Sequence, residues 1–362
     1  MKILVLAGRY GLSGVPLAQL RFARALASEG HNVELIYGAV NDGHTLPSSD
    51  IFKVLTLNKL RVSQMFYFLV KYFKNSSPDI VFSAGDHLNA VVLSAAILSN
   101  SKAKISCSSR VTPFDTYSNK ILSKGWLLKV VMRLVSFRAD ALTCVSKDMV
   151  DQYKLIFNNS KHFCIYNIIV DESSKKKMLL SNDEPWLRNR DCPIIIAAGA
   201  LEPWKGFSDL IHAIKHLESD YRVKLLILGD GSSRGELQDL ILSLNLQDSI
   251  KLTGFIENPL SYFKDSDIFV LSSYVEGLPN VLVESMMAGC TPVSTDCPTG
   301  PKEVLLDGKY GYLAPMHDPK GLAQCIKQAI MKPIAQEILD HAITPFSEST
   351  VIKKHFKSLG VK

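Results

Sequence analysis

Short apolar runs, each followed by a longer stretch of helical periodicity, recur along almost the whole of this chain. A strand that is buried on both faces and returns to the same edge through a helix can only build a parallel sheet, covered by helices on either side. In the first half the runs Lys2–Ala7, Asn32–Tyr37, Ile80–Ser83, Ile105–Ser108 and Ala141–Val145 read as strands. Helices are predicted over Pro16–Ser28, His87–Leu98, Lys120–Phe137 and Lys147–Ile156. The alternation stops between Val170 and Arg190, where Lys175-Lys176-Lys177 and Ser181-Asn182-Asp183-Glu184-Pro185 raise the polarity. It restarts with strands Ile194–Ala198, Val223–Leu228, Ile250–Leu252, Ile268–Leu271 and Thr291–Ser294. Between and after these strands, helices are expected over Phe207–Leu217, Arg234–Leu244 and Pro279–Ala288, then beyond Gly300 and Pro319. A chain of 362 residues exceeds what one hydrophobic core normally organises. The expected division is a first domain over 1–170, a linker over 171–192, a second domain over 193–344 and a terminal helix over 345–362. That last segment carries Phe346, Val351, Ile352, Phe356 and Leu359 at near-helical spacing and must dock to hide them.

Composition narrows the classes. The seven cysteines are scattered without a C-x-x-C pair, which fits neither a disulfide framework nor a zinc site and suits a reducing compartment. The opening apolar run is too short for a signal peptide, and no run of about 18 apolar residues offers a membrane span, so the chain is expected in the cytoplasm. Residues 1–170 hold 20 Lys and Arg against 10 Asp and Glu, whereas residues 171–362 hold 21 against 25. The basic excess of the first half gathers in two acid-free stretches, Ile51 to Pro78 and Thr116 to Ala139, where cations mix with Phe, Tyr, Trp and Leu. Two readings stand side by side: peripheral contact with an anionic membrane surface, or core helices with solvated basic faces. No nucleic-acid-binding module is recognisable.

Chemistry concentrates between Ser272 and Gly289. A buried strand ends at Leu271, a loop carries Glu276-Gly277, and Pro279 is expected at the first helical position, where its missing N–H costs nothing. The N–H groups from Asn280 to Leu282 would then point out of the helix start as a phosphate site. Glu276 and Glu284 flank it; sugar and ribose hydroxyls would satisfy both carboxylates, while ordinary helix charges would also account for them.

Glu276 and Glu284, with Gly277-Leu278-Pro279-Asn280-Val281-Leu282-Val283 between them, resemble the E-x7-E signature of family-4 retaining glycosyltransferases. Further segments resemble that family in the same order: Gly199-Ala200-Leu201 with Lys205-Gly206-Phe207, Leu228-Gly229-Asp230-Gly231, Gly254-Phe255-Ile256, Gly300-Pro301-Lys302-Glu303, then Asp307-Gly308 and Gly311-Tyr312. The resemblance implies an α/β chain of the GT-B class, with two Rossmann-like domains facing across a cleft and a C-terminal helix crossing back to the first. It implies a retaining, metal-independent enzyme that moves a sugar, a hexose or N-acetylhexosamine, from a nucleotide diphosphate such as UDP. Glycan or polyprenyl-linked acceptors of envelope, capsule or lipopolysaccharide synthesis would receive it, without a cofactor. Carried onto this sequence, Lys205 would hold the diphosphate and Glu276 the transferred sugar, as catalytic residues. Glu284 would hold the ribose, and the backbone from Gly277 through Leu278, Pro279 and Asn280 to Val281 would cradle sugar and phosphate. The base would sit near Gly254 and Phe255. Gly11 and Gly14, in the strand–helix turn Gly8-Arg9-Tyr10-Gly11-Leu12-Ser13-Gly14-Val15, resemble the family's first Gly-rich loop facing the donor.

Ala200 stands where the family usually has Arg. Either Arg9, Arg110 or Lys302 replaces that cation, or activity is impaired, leaving a binding subunit; a sugar-nucleotide epimerase or a phosphorylase on the same fold is the other rival. His87 could meet the donor sugar, as a histidine does in many relatives, or be incidental beside a helix-capping Asp86. Ser109-Arg110 resembles an S-x-R variant of capsule and lipid-linked oligosaccharide enzymes and could contact donor or acceptor. His212 and His216 share a helix face without a third ligand, and no D-x-D occurs where a metal-dependent fold would need one.

Overall fold

A computed structural model describes residues 1–11, 14–157 and 161–361. The chain forms two compact units, Met1–Ile168 with Glu348–Lys362, and Ile169–Ser347. The first is built on strands β1 (Lys2–Tyr10), β2 (Asn32–Val40), β3 (Lys53–Thr56), β4 (Ile80–Ala84), β5 (Lys104–Ser109), β6 (Ala141–Cys144) and β7 (His162–Cys164). They lie in the order β3-β2-β1-β4-β5-β6-β7, every neighbouring pair parallel. Ile3, Leu4, Val5 and Leu6 of β1 are fully buried, as a central strand covered on both faces requires.

The second unit repeats the plan with β8 (Ile194–Ala198), β9 (Lys224–Leu228), β10 (Ile250–Gly254), β11 (Ile268–Leu271), β12 (Thr291–Thr295) and β13 (Tyr312–Ala314), in the order β10-β9-β8-β11-β12-β13. In both sheets the strand order reverses beside the first strand, between β1 and β4 and between β8 and β11. Helices on either side of such a reversal leave for opposite faces, which opens a crevice beyond the carboxyl ends of the two strands.

Several boundaries differ from the sequence reading. The helix expected from Lys120 starts at Lys124, because Ser123 caps it by accepting from the Trp126 N–H at 3.1 Å. The first basic stretch contains a helix over Phe66–Ser76, in line with one of its two readings, with bounds that the sequence leaves open. Residues 171–192 belong to the second unit and contain two short helices, Glu172–Met178 and Pro185–Arg188. Asp171 caps the former by accepting from the Ser174 N–H at 2.6 Å, and Asn182 ties the stretch to Asp265 at 2.8 Å. Leu12 and Ser13 of the first Gly-rich loop lie outside the described residues.

The terminal helix Glu348–Ser358 belongs to the first unit. Val351, Ile352 and Leu359 join the core that contains Ile3, Val5, Ile80 and Phe82. His355 is sealed in the same core, its ring 4.9 Å from that of Phe22 and 5.3 Å from that of Phe82. Among the described residues, no helix is long and apolar enough to cross a membrane.

Burial, then the nearby Arg110 charge, pull the His355 imidazole down to about 3 from its ordinary 6.5. The unfolded chain therefore binds a proton that the folded unit refuses between those two values, and stability rises with pH across that window. Acidification from pH 6.5 should destabilise the first unit by up to about 1.4 kcal/mol per pH unit through this residue. Urea titrations of the wild type and of His355→Gln at several pH values check it: the variant should lose this part of the pH slope.

Candidate functional site

The second unit gathers its chemistry at the β8/β11 reversal. After β8 the chain turns through Gly199, whose N–H donates to the Leu228 carbonyl at 3.0 Å, and closes on a single 3-10 turn, Pro203–Lys205. Gly206 follows in the left-handed region at φ 64°, and a Cβ there would lie 2.0 Å from the Ser272 carbonyl oxygen. Only glycine permits that approach. It lets the loop after β11 grip the turn: Ser272 Oγ donates to the Lys205 carbonyl at 2.8 Å, and the Tyr274 N–H to the Trp204 carbonyl at 2.8 Å.

This grip delivers Lys205 to Glu276, 71 positions later in the chain, with Nζ 2.6 Å from Oε1. The same carboxylate oxygen accepts from Ser273 Oγ at 2.7 Å. The Glu276 backbone is fixed as well, its N–H donating to the Pro298 carbonyl at 2.9 Å and its carbonyl accepting from the Thr299 N–H at 3.0 Å and Oγ1 at 2.8 Å. The Lys205 and Glu276 side chains are 20% and 12% exposed, so the pair is shielded enough for its charge to act strongly and open enough to meet a ligand. Burial, followed by the Glu276 charge, pushes the neighbouring Cys297 thiol up to about 12, which keeps it protonated and inert.

The glutamate loop leads into the helix Asn280–Met287. Pro279 is its N-cap at φ −76° and ψ 83°, not its first helical residue. In consequence two N–H groups expected to be free are engaged: Asn280 donates to the Leu278 carbonyl at 2.9 Å and Leu282 to the Pro279 carbonyl at 3.0 Å. The N–H groups of Leu278 and Val281 have no acceptor among the described residues, so the amide cradle is narrower than the sequence implied. Gly300 supports it from below, since a Cβ there would meet Pro279 Cδ at 2.8 Å and the Gly277 carbonyl at 2.9 Å. Glu284 is buried, 8% exposed, and is not a solvated helix charge.

Gly254 ends β10 at φ +83°, its carbonyl accepting from the Gly229 N–H at 2.9 Å, and Phe255 beyond it is 60% exposed. Sequence reading missed Arg234, whose Nη2 donates to the Leu252 carbonyl at 3.3 Å and whose buried Nη1 stands 3.8 Å from Asp230 Oδ1, beside Gly254. Spacing alone cannot show that Arg234 folds back on β10. Ala200 is exposed, and Lys302, one of its three candidate substitutes, stands 3.8 Å from both Asp296 and Asp307. Asp265 and Asp267 do form a D-x-D, but Asp267 accepts from the Ile194 N–H at 2.8 Å, at the starts of β8 and β11. That is the opposite sheet edge.

In the first unit, Gly11 follows β1 and packs where a Cβ would come 2.6 Å from Asn41 Nδ2. Gly14 opens the helix Gly14–Ser28 and is exposed. His87 is exposed in the first turn of the helix Asp86–Leu98, directly after β4. Asp86 does not cap that helix. Gly85 is the N-cap, and the buried Asp86 carboxylate instead accepts from Ser109 Oγ at 2.6 Å and from the Tyr153 hydroxyl. Burial raises its pKa against the hydrogen bonds that lower it. Arg110 ends the same cluster of strand termini; it donates to Asn167 Oδ1, no carboxylate pairs with it among the described residues, and its buried Nε has no partner. Burial brings its guanidinium down to about 10, which leaves it charged at neutral pH.

With this geometry, residues 181–344 match the family described as glycosyl transferases group 1. The chain is 31% identical over 299 residues to an uncharacterized glycosyltransferase of Methanocaldococcus jannaschii, covering 75% of this chain and 71% of that one. It is 29% identical over 259 residues to the N-acetylgalactosamine-N,N'-diacetylbacillosaminyl-diphospho-undecaprenol 4-alpha-N-acetylgalactosaminyltransferase of Campylobacter jejuni, covering 71% and 68%. Among solved structures, the apo lipopolysaccharide outer core galactosyltransferase WaaB aligns at a TM-score of 0.75 and 18% identity over 99% of both chains. HepE of Anabaena, in complex with UDP-glucose, aligns at 0.74 and 19% over 99% of both.

Substituting Gly206→Ala should cost more than about 1 kcal/mol, since the left-handed backbone and the Ser272 carbonyl both refuse a methyl group. Chemical denaturation measures the loss.

Proposed function

Because the chain belongs to the group 1 glycosyl transferases, we propose that it moves a hexose or N-acetylhexosamine, with retention, from a UDP sugar to a lipid-linked glycan in cell-envelope polysaccharide synthesis. The observation that carries the reading is the contact of Lys205 with Glu276 at the β8/β11 reversal. A cation and a sugar-sized hydrogen-bond acceptor are held together there, beside the Leu278 and Val281 amides. Envelope glycans are supported by the relatives: alongside the undecaprenol-linked acceptor named for the Campylobacter transferase, the amylovoran biosynthesis glycosyltransferase of Erwinia amylovora is 26% identical over 80% of each chain.

In the reaction, the bond between the anomeric carbon and the diphosphate oxygen breaks, and the electron pair leaves with the nucleotide. Lys205 exchanges its contact with Glu276 for the departing phosphate and stabilises the charge that develops there. Glu276, released, accepts hydrogen bonds from the sugar's hydroxyls. The acceptor hydroxyl adds to the same face of the anomeric carbon, and its proton passes to the leaving phosphate oxygen. Glu284 holds the ribose and the Gly254–Phe255 edge takes the base. Lys205 and the helix-start amides supply the neutralising charge, so no metal is required.

Ala200 favours one rival, a subunit that binds donor without turning it over. Turnover separates the two readings. With UDP-sugar and a polyprenyl diphosphate-linked acceptor, the wild type should form product whose anomeric coupling in NMR matches the donor's, and a chelator should leave the rate unchanged. Product from donor alone would reveal an epimerase instead.

UDP at about 100 times its Kd should stabilise the wild type by about 2.7 kcal/mol. Lys205→Ala should remove most of that shift and lower kcat/KM by about 100-fold or more, a loss expected for one preorganised charge. Calorimetry and steady-state rates report both. Ala200→Arg should raise kcat/KM by about tenfold, the worth of one charge-assisted contact; an unchanged rate would mean that the cation is already supplied.

A further inference from the structure

The helix Lys124–Val135 of the first unit buries Leu128, Lys129 and Met132. Its outer face is not polar. Leu127 and Leu134, seven positions apart and so on one face, are 58% and 67% exposed, and Phe137 just beyond the helix is 77% exposed. Ile121 and Leu122, in the preceding loop, are 71% and 87% exposed. The buried Lys129 holds that loop against the helix by donating to Asn119 Oδ1 at 2.9 Å, so the apolar residues share a defined surface. Exposed apolar side chains gathered along one helix and the loop before it point to something that this face binds.

A cavity of about 470 Å³ opens beside this face, lined by Tyr117, Met132, Phe137, Leu142, Phe157 and Phe163 among others. Arg133 and Lys161 stand on its wall. Arg133 lies 6.0 Å from the Phe157 ring centre and donates to the Ile156 carbonyl at 3.4 Å, with no carboxylate partner among the described residues. Asp140, the one acid in the lining, is already paired with Lys104 at 3.1 Å and Arg138 at 3.3 Å. Burial pulls the His162 imidazole down to about 4, which leaves it neutral. The surroundings are thus apolar within and cationic at the edge, and no acid occurs between Thr116 and Ala139.

We propose that this face is a lipid-docking surface: the Leu127–Leu134–Phe137 stripe enters the interface of an anionic bilayer, and the cavity takes one hydrocarbon chain of an anionic lipid. The inference rests on, and deepens, the reading of a lipid-linked acceptor. Charge decides between a bilayer and a second copy of the chain. A two-fold interface would bring Lys120, Lys124 and Arg133 against their own equivalents, whereas anionic headgroups complement them.

The test uses the full chain with phosphatidylcholine vesicles, with or without about one third phosphatidylglycerol, in low and high salt. Anionic vesicles should co-sediment the protein, neutral ones should not, and salt should weaken binding. Trp126, on the same helix, should be quenched by bromine-labelled acyl chains. The double variant Leu127→Gln/Leu134→Gln, altered only at exposed positions, should bind vesicles at least tenfold less while keeping its UDP-induced thermal shift. Dodecyl phosphate, below its micelle concentration, should bind one per chain, and Ala139→Trp, which fills the cavity, should abolish that stoichiometry. Equal vesicle binding by the double variant, failure of dodecyl phosphate to saturate at one per chain, or a concentration-dependent dimer that the Leu127/Leu134 variant dissolves would each overturn the proposal. A missing UDP shift with intact vesicle binding would instead sink the proposed donor chemistry and leave this surface standing.

Discussion

Everything at the candidate site depends on the close approach of two loops that leave neighbouring parallel strands for opposite faces of the sheet. The Ser272 carbonyl lies almost where a side chain at position 206 would begin, and glycine there removes the obstacle. Once the loops touch, Ser272 and Tyr274 bond the backbone of the lysine turn, and the lysine has one direction left to point. The ion pair that results is a weak source of stability. Partly shielded pairs offset their desolvation with little to spare, so either partner can be exchanged for another at small cost.

The two units place different chemistry on the same scaffold. At the β8/β11 reversal a cation meets an acid, fully matched within the unit. At the ends of β4 and β5 the acid is sealed inward with Ser109 and Tyr153, while the cation, Arg110, meets no acid among the described residues. The first unit therefore retains positive charge at this strand edge, in keeping with the basic balance of residues 1–170.

Much of this was legible in the sequence, and the exceptions follow a physical rule. Ile194–Ala198 and Ile268–Leu271 coincide with their expected bounds because burial on both faces leaves only apolar residues to read, and the helix Phe207–Leu217 because its buried residues recur at helical spacing. The strands that went unseen, Lys53–Thr56, His162–Cys164 and Tyr312–Ala314, are all sheet edges, where half the surroundings are solvent and a run of three or four residues suffices. Pro279 was put one step too far into its helix because a proline tolerates both positions, and only the ψ of 83° distinguishes them. Glu284 could not be recognised as buried, since helix periodicity says which face a residue is on but not how deeply that face is covered. Lys205 and Glu276 were each picked out by motif; that they touch, 71 positions apart, is tertiary information.

The last helix completes the first unit rather than the second. Val351, Ile352, His355 and Leu359 fill a core whose other members, from Ile3 to Ile168, all lie far earlier in the chain. On the ribosome, the second unit is one uninterrupted stretch and can reach its native state while the first unit still waits, its core incomplete, for the helix Glu348–Ser358. Order of emergence and order of maturation are thus reversed, and the opening half spends most of its synthesis time with apolar surface that a chaperone would recognise.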